Sequence, residues 1–68
     1  MEFRVELEKE VDGRWLAEVV DLPGVMAYGK TRDEAFSKVQ ALALHVLAER
    51  LENEGKPSGA LSVEFKAA

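Results

Sequence analysis

Apolar residues alternate with charged ones at the start of the chain. From Phe3 to Leu7 the apolar side chains occupy odd positions, and the even positions between and beside them carry Glu or Arg. The same odd-numbered pattern returns from Trp15 to Val19. A period of two is typical of a strand that buries one face, so these segments predict two β-strands.

The dipeptide Asp12-Gly13 between these strands is a strong hairpin signal. A two-residue loop would pair apolar with polar positions and mix the two faces. A three-residue loop, Val11 to Gly13, with Gly13 in the left-handed region, keeps the faces separate. It predicts this register: Lys9 opposite Trp15, Leu7 opposite Ala17, and Val5 opposite Val19.

A turn and a third strand come next. Pro23 and Gly24, in the run Asp21 to Gly24, fit the second and third positions of a type II turn. A short strand is then predicted from Val25 to Gly29. Thr31 and Glu34 have the spacing of a capping box, in which each side chain accepts from the other residue's backbone amide. This spacing predicts that a helix begins there.

Apolar residues recur at intervals of three and four along the predicted helix. Gly55 fits a left-handed C-terminal cap and Pro57 prevents further helix, so the helix should end at Asn53 or Glu54. The apolar stripe consists of Phe36, Val39, Ala43, Val46, Leu47 and Leu51, widened by Leu42 and Leu44. The opposite face, which we expect to be exposed to solvent, consists of Glu34, Lys38, His45, Glu49 and Glu52.

The alternation returns once more at Leu61, Val63 and Phe65, which predicts a fourth strand. The order strand, strand, strand, helix, strand predicts an α+β fold of two layers, with one long helix on a four-stranded sheet. The chain contains no linker, repeat or low-complexity segment. We therefore expect residues 1–68 to form a single domain.

Composition narrows the functional classes. Thirteen acidic residues against nine basic ones give a net charge of −4, which disfavours direct nucleic-acid binding and favours basic partners. The 68 residues include no cysteine and no membrane-length apolar run, so we expect a soluble cytoplasmic protein. Chains this short have small cores, which makes a homo-oligomer, a dimer or a tetramer, the expected route to stability.

No catalytic motif is recognisable. The glutamates of the first strand could hold metals, but evenly spaced carboxylates are more typical of a solvated strand face. His45, the sole histidine, has no serine or threonine one helical turn away that it could activate, so we interpret it as a surface residue. Phosphate-binding loops and basic stripes are absent from the sequence. We expect no enzyme activity and no cofactor.

Some apolar residues remain after the core is assigned. Leu16 and Val20 point away from the helix-facing residues of the second strand, and Met26 and Tyr28 can share that outer face. Such a patch on a small domain, next to an edge strand, often marks contact with another chain. The alternative is scattered surface apolar residues without function. We predict that these four residues form a protein interface.

Two sequence motifs resemble those of HicB-like antitoxins. They are D-G-x-W-x-A-x-x-x-D-L-P-G from Asp12 to Gly24 and G-x-T-x-x-E-A from Gly29 to Ala35. The resemblance implies a partial ribonuclease-H-like fold with strand order 3-2-1-4 and the fourth strand parallel to the first. It also implies a partner, a small basic HicA-type toxin that cleaves mRNA. Many HicB antitoxins add a DNA-binding module after this domain, and we expect no DNA binding by this chain alone.

Three functions follow from these observations. The first is an antitoxin that inhibits a HicA-type toxin by protein contact. The second is an orphan HicB-like module that dimerises and has a regulatory or ligand-sensing role without a toxin. The third is a metal-dependent nuclease of ribonuclease-H-like fold, for which we cannot place the required set of carboxylates.

Overall fold

The computed structural model describes residues 1–54 and 59–68. Within them lie the strands β1 (Glu2–Lys9), β2 (Trp15–Val19), β3 (Met26–Gly29) and β4 (Glu64–Ala67), and the helix α1 (Arg32–Glu54). The strands form one mixed sheet in the order β3-β2-β1-β4. β4 runs parallel to β1, and the other two pairings are antiparallel. The predicted α+β fold and strand order are confirmed.

The β1–β2 hairpin has the predicted three-residue loop. The Glu10 amide donates to the Arg14 carbonyl at 2.7 Å, which closes the loop around Val11 to Gly13. Gly13 has a φ of 92°, in the left-handed region that favours glycine. The register is the predicted one throughout: Val5 lies opposite Val19, Leu7 opposite Ala17 and Lys9 opposite Trp15.

The predicted turn before β3 is also present. The Val25 amide donates to the Leu22 carbonyl at 3.1 Å, and Gly24 has a φ of 83°, as the third position of a type II turn requires. β3 begins at Met26, one residue later than predicted, because the Val25 amide is used by the turn. Leu22 is buried beneath this turn.

Helix α1 begins with half of the predicted capping box. The Glu34 amide donates to Thr31 Oγ1 at 3.1 Å. The Glu34 carboxylate, which was expected to accept from the Thr31 amide, instead pairs with Lys38 Nζ at 3.0 Å. The helix ends at Glu54, as predicted. The expected cap at Gly55 and stop at Pro57 lie outside the described residues.

The end of β3 and the start of α1 touch through their backbones. A Cβ atom added to Gly29 would lie 2.4 Å from the Ala35 nitrogen and 2.9 Å from its Cα. Real Cβ atoms do not approach other atoms so closely, so only glycine fits at this position. Ala35 itself is completely buried. This contact gives a physical reason for the spacing of Gly29 and Ala35 in the second motif.

The core lies between α1 and the inner face of the sheet. The helix packs mainly on β3 and β2 and less on β1. The helix stripe is narrower than predicted, because Leu42, Leu44 and Leu51 are exposed. The buried apolar residues are Phe3, Val5, Ala17, Val19, Leu22, Val25, Ala35, Val39, Ala43 and Leu47.

β4 starts later than the alternation indicates. Leu61 and Val63 precede the strand, which begins at Glu64 because its partner β1 begins at Glu2, directly opposite. Phe65 extends the inner face and stacks on Phe3, with ring centroids 5.7 Å apart. A strand so short depends on this aromatic contact for side-chain packing.

Candidate protein interface

The sheet face opposite α1 carries the predicted apolar residues, which we call the outer-face patch (Leu16, Val20, Met26 and Tyr28). Val20 is 39% exposed, and Met26 and Tyr28 are each 45% exposed. Leu16 is half-buried. The structure therefore places all four residues where they were expected, on the side of the sheet that the helix does not cover.

Strand register decides which members of the outer-face patch touch. Tyr28 lies opposite Leu16, and Met26 lies opposite Glu18. Both pairs lie between the ladder hydrogen bonds, where opposing side chains approach most closely. Val20 lies just beyond the end of β2, on the far side of Glu18. The patch is thus an apolar cluster of three residues with Val20 set apart by one carboxylate.

The sequence did not indicate a second feature beside Tyr28. The Arg14 guanidinium lies 4.3 Å from the centroid of the Tyr28 ring, a cation–π contact. Arg14 Nε also donates to Asp12 Oδ2 at 2.7 Å. The backbone amide of Arg14, and then its side chain, lower the pKa of Asp12. Asp12 thus accepts hydrogen bonds from both the backbone amide and the side chain of Arg14, whose guanidinium lies over the tyrosine ring.

The tip of the β1–β2 hairpin extends this surface. Val11 is fully exposed at the tip. A shallow depression of about 350 Å³ separates it from Tyr28, with Glu10, Asp12 and Arg14 as its other walls. Tyrosine and arginine are enriched among residues that dominate binding energy at protein interfaces. The hairpin tip therefore adds an exposed apolar residue and an ordered arginine to the patch.

Carboxylates flank the outer-face patch on its β1 side. Glu6 lies opposite Glu18, and Glu8 lies opposite Leu16. Like charges directly across a strand pair are unfavourable. The ion pairs in the described part of the chain include none of these three glutamates. Arg4 lies on the same face of β1 and offsets one of these charges, so the β1 side of the patch keeps a net negative charge.

The far edge of the sheet is closer to neutral. Lys66 Nζ lies 3.3 Å from the Glu2 carboxylate and 3.4 Å from that of Glu64. These contacts, with Glu2 first, raise the pKa of Lys66. Glu2 and Glu64 therefore share one lysine, whereas the three glutamates beside the patch have no ion pair among the described residues.

The other candidates for chemistry do not come together. His45 is exposed on α1, as expected. Among residues 1–54 and 59–68, no three His, Cys, Asp or Glu side chains are grouped so that they could hold a metal ion. No helix in the same residues is long and apolar enough to cross a membrane.

A cleft lies between the end of α1, the start of β1 and the segment that precedes β4. It has a volume of about 420 Å³, and its apolar walls include Met1, Phe3, Leu47, Leu51 and Leu61. This volume falls within the range of small-molecule pockets. None of its lining residues belongs to the outer-face patch, so the cleft is a separate candidate site.

Known proteins share both this architecture and part of the sequence. Over its whole length the chain superimposes on 90% of a hypothetical protein from the extremely thermophilic bacterium Thermus thermophilus, known from a crystal structure, with a TM-score of 0.60 and 26% sequence identity. No family model matches the sequence. The chain is also 31% identical over 67 residues to a UPF0150 protein of Archaeoglobus fulgidus, a match that covers 97% of each. It belongs to the UPF0150 family.

Proposed function

We propose that this protein is a HicB-like antitoxin that binds and inhibits a small basic HicA-type mRNA interferase toxin by protein contact. The observation that carries the proposal is the outer sheet face. There, exposed apolar side chains, an arginine held over a tyrosine, and carboxylates without ion pairs in the described residues lie side by side. Inhibition of this kind requires no catalytic group on the antitoxin.

Charge supports a basic partner. The net charge is −4, and Glu6 and Glu18 face each other across two strands of the proposed interface. A lysine or arginine of a partner placed between them would relieve their repulsion. Complementary charge of this kind accelerates association and selects among partners. The sequence motifs shared with HicB-like antitoxins favour the same partner class.

The test is to look for a small basic protein encoded beside the gene and to co-express this chain with it. We expect this chain to rescue growth and to co-elute with that protein on a sizing column. Replacing the outer-face patch (Leu16→Ser, Val20→Thr, Met26→Thr, Tyr28→Ser) should weaken binding by about a hundredfold or more, because central aromatic and apolar contacts dominate interface energies.

The matched control replaces exposed apolar residues of the helix layer. Leu42 and Leu44 are 38% and 51% exposed, and Leu42→Ser with Leu44→Ser should leave both rescue and co-elution unchanged. If the outer-face variant still folds, rescues growth and co-elutes, the interface is elsewhere. If the unaltered chain neither binds nor rescues, the antitoxin proposal is wrong.

The cleft beside α1 favours one second candidate, an orphan module that senses a small ligand and acts as a dimer. Its volume and mainly apolar walls, with Asp21, Arg50 and Glu54 among the lining residues, suit a small molecule that has an apolar body and a few polar groups. Two results together would favour this function over the antitoxin. No toxin would be encoded beside the gene, and the protein would be a homodimer whose melting temperature rises when protein-free cell extract is added.

A further inference from the structure

Among the residues that the structure describes, the backbone of β3 leaves hydrogen-bonding groups without partners at the outer edge of the sheet. The Val19 amide donates to the Val25 carbonyl at 3.0 Å, so the odd-numbered residues of β3 point their backbone groups toward β2. Backbone direction alternates along a strand. The amides and carbonyls of Met26 and Tyr28 therefore point outward, away from the sheet.

The side chains of the same two residues belong to the outer-face patch. An approaching strand would therefore meet two donors, two acceptors and two large apolar side chains at one edge. The inner side of β3 is fixed by α1, because the backbones of Gly29 and Ala35 are in contact. This contact restrains β3 against α1, and a restrained edge loses less entropy when a partner binds.

We propose that β3 accepts an extended segment of the basic partner as a fifth strand of the sheet. This inference rests on the proposed function and states how the partner binds. β3 has four residues, so the added segment needs about five residues to use all four outward groups. Its side chains on the outer face would be apolar beside Met26 and Tyr28, with lysine or arginine reaching Glu18.

A second copy of this chain fits the edge less well than a basic segment. Each copy carries a net charge of −4, and edge-to-edge pairing of two β3 strands would make the two acidic outer faces one surface. Glu18 lies directly opposite Met26, one strand from the edge. A cationic segment neutralises this carboxylate, whereas a second copy adds another one.

The test removes one edge donor without removing a ladder hydrogen bond. Met26→Pro eliminates an outward amide at the first residue of β3, a position where strands tolerate proline. The matched control, Met26→Thr, loses the same side chain and keeps the amide. With the purified basic protein encoded beside the gene as the probe, we expect Met26→Pro to weaken binding at least about tenfold more than Met26→Thr.

Amide hydrogen exchange gives a second measurement that needs no variant. In the unaltered protein the Met26 and Tyr28 amides should exchange at least about tenfold more slowly when the basic protein is bound, because they then donate to its backbone. The Lys30 amide, just beyond β3, should change little.

The outcomes separate the two proposals. Equal binding by Met26→Pro and Met26→Thr, or unchanged exchange at Met26 and Tyr28 in a complex that does form, overturns strand addition and leaves the antitoxin function intact. A homodimer that Met26→Pro dissociates would assign the edge to a second copy instead. Failure of the unaltered protein to bind the probe overturns both proposals.

Discussion

Gly29→Ala should be among the most damaging single-methyl changes that this fold can receive. The added Cβ would lie 2.4 Å from the Ala35 nitrogen and 2.9 Å from both the Ala35 Cα and the Glu34 carbonyl carbon. All three atoms belong to the backbone of the first turn of α1. No side-chain rotation can relieve the contact, so β3 and α1 must move apart.

The cost can be set against the whole stability of the domain. Overpacking of a well-packed core usually costs about 1–3 kcal/mol, and the rigid backbone places this change near about 3 kcal/mol. At about 0.05–0.15 kcal/mol per residue, the 68 residues have a free energy of unfolding of roughly 3–10 kcal/mol. At about 4–8 °C per kcal/mol for a domain of this size, we expect the melting temperature to fall by about 12–24 °C.

Thermal unfolding followed by circular dichroism measures this effect. Gly13→Ala is the matched control, because Gly13 has a φ of 92° but nothing within 4 Å of an added Cβ. Its free energy of unfolding should fall only by the cost of placing alanine in the left-handed region, about 1–2 kcal/mol. A second substitution, Ala35→Gly, should not rescue Gly29→Ala, because the obstructing atoms are backbone. A melting temperature of Gly29→Ala within about 3 °C of the unaltered protein would refute the argument.

Two further predictions concern the start of α1. Thr31→Ala removes the hydroxyl that accepts from the Glu34 amide and should cost about 1 kcal/mol in chemical denaturation, whereas Thr31→Ser should cost little. The Lys38 side chain, followed by the Lys30 backbone amide, lowers the pKa of Glu34. A lowered pKa in the folded state contributes stability above the ordinary glutamate pKa, and that stability is lost as the pH falls through the folded value. The melting temperature should therefore fall more between about pH 5 and pH 3 in the unaltered protein than in Lys38→Met; equal slopes would count against the pair.

The local elements could be predicted from sequence because each has a short-range physical cause. The hairpin register follows from keeping one face apolar, and Gly13 supplies the backbone conformation that the three-residue loop needs. The turn at Pro23 and Gly24 and the cap at Thr31 depend on residues within four positions of each other. The outer-face patch followed from the same alternation, since residues that do not face the helix must face the other way.

Features that depend on distant packing could not be predicted. The Gly29–Ala35 contact needs the angle at which α1 leaves β3, and the stacking of Arg14 on Tyr28 needs the β2–β3 register. The helix lies over β3 and β2, which leaves Leu51 exposed although its spacing fits the stripe. The fourth strand begins at Glu64 because β1, its partner, begins at Glu2. The alternation of apolar residues does not indicate this starting point.

The parallel pairing of β4 with β1 has a consequence for the order of folding. The Glu64 amide donates to the Met1 carbonyl, and the Ala68 amide donates to the Val5 carbonyl, so contacts at one edge join residues more than sixty positions apart. The β1–β2 hairpin closes over three residues. Loop closure over so long a segment costs entropy before any contact compensates for it. We therefore expect the sheet to assemble from its β2 side, with β4 the last strand to dock during folding and the first to detach.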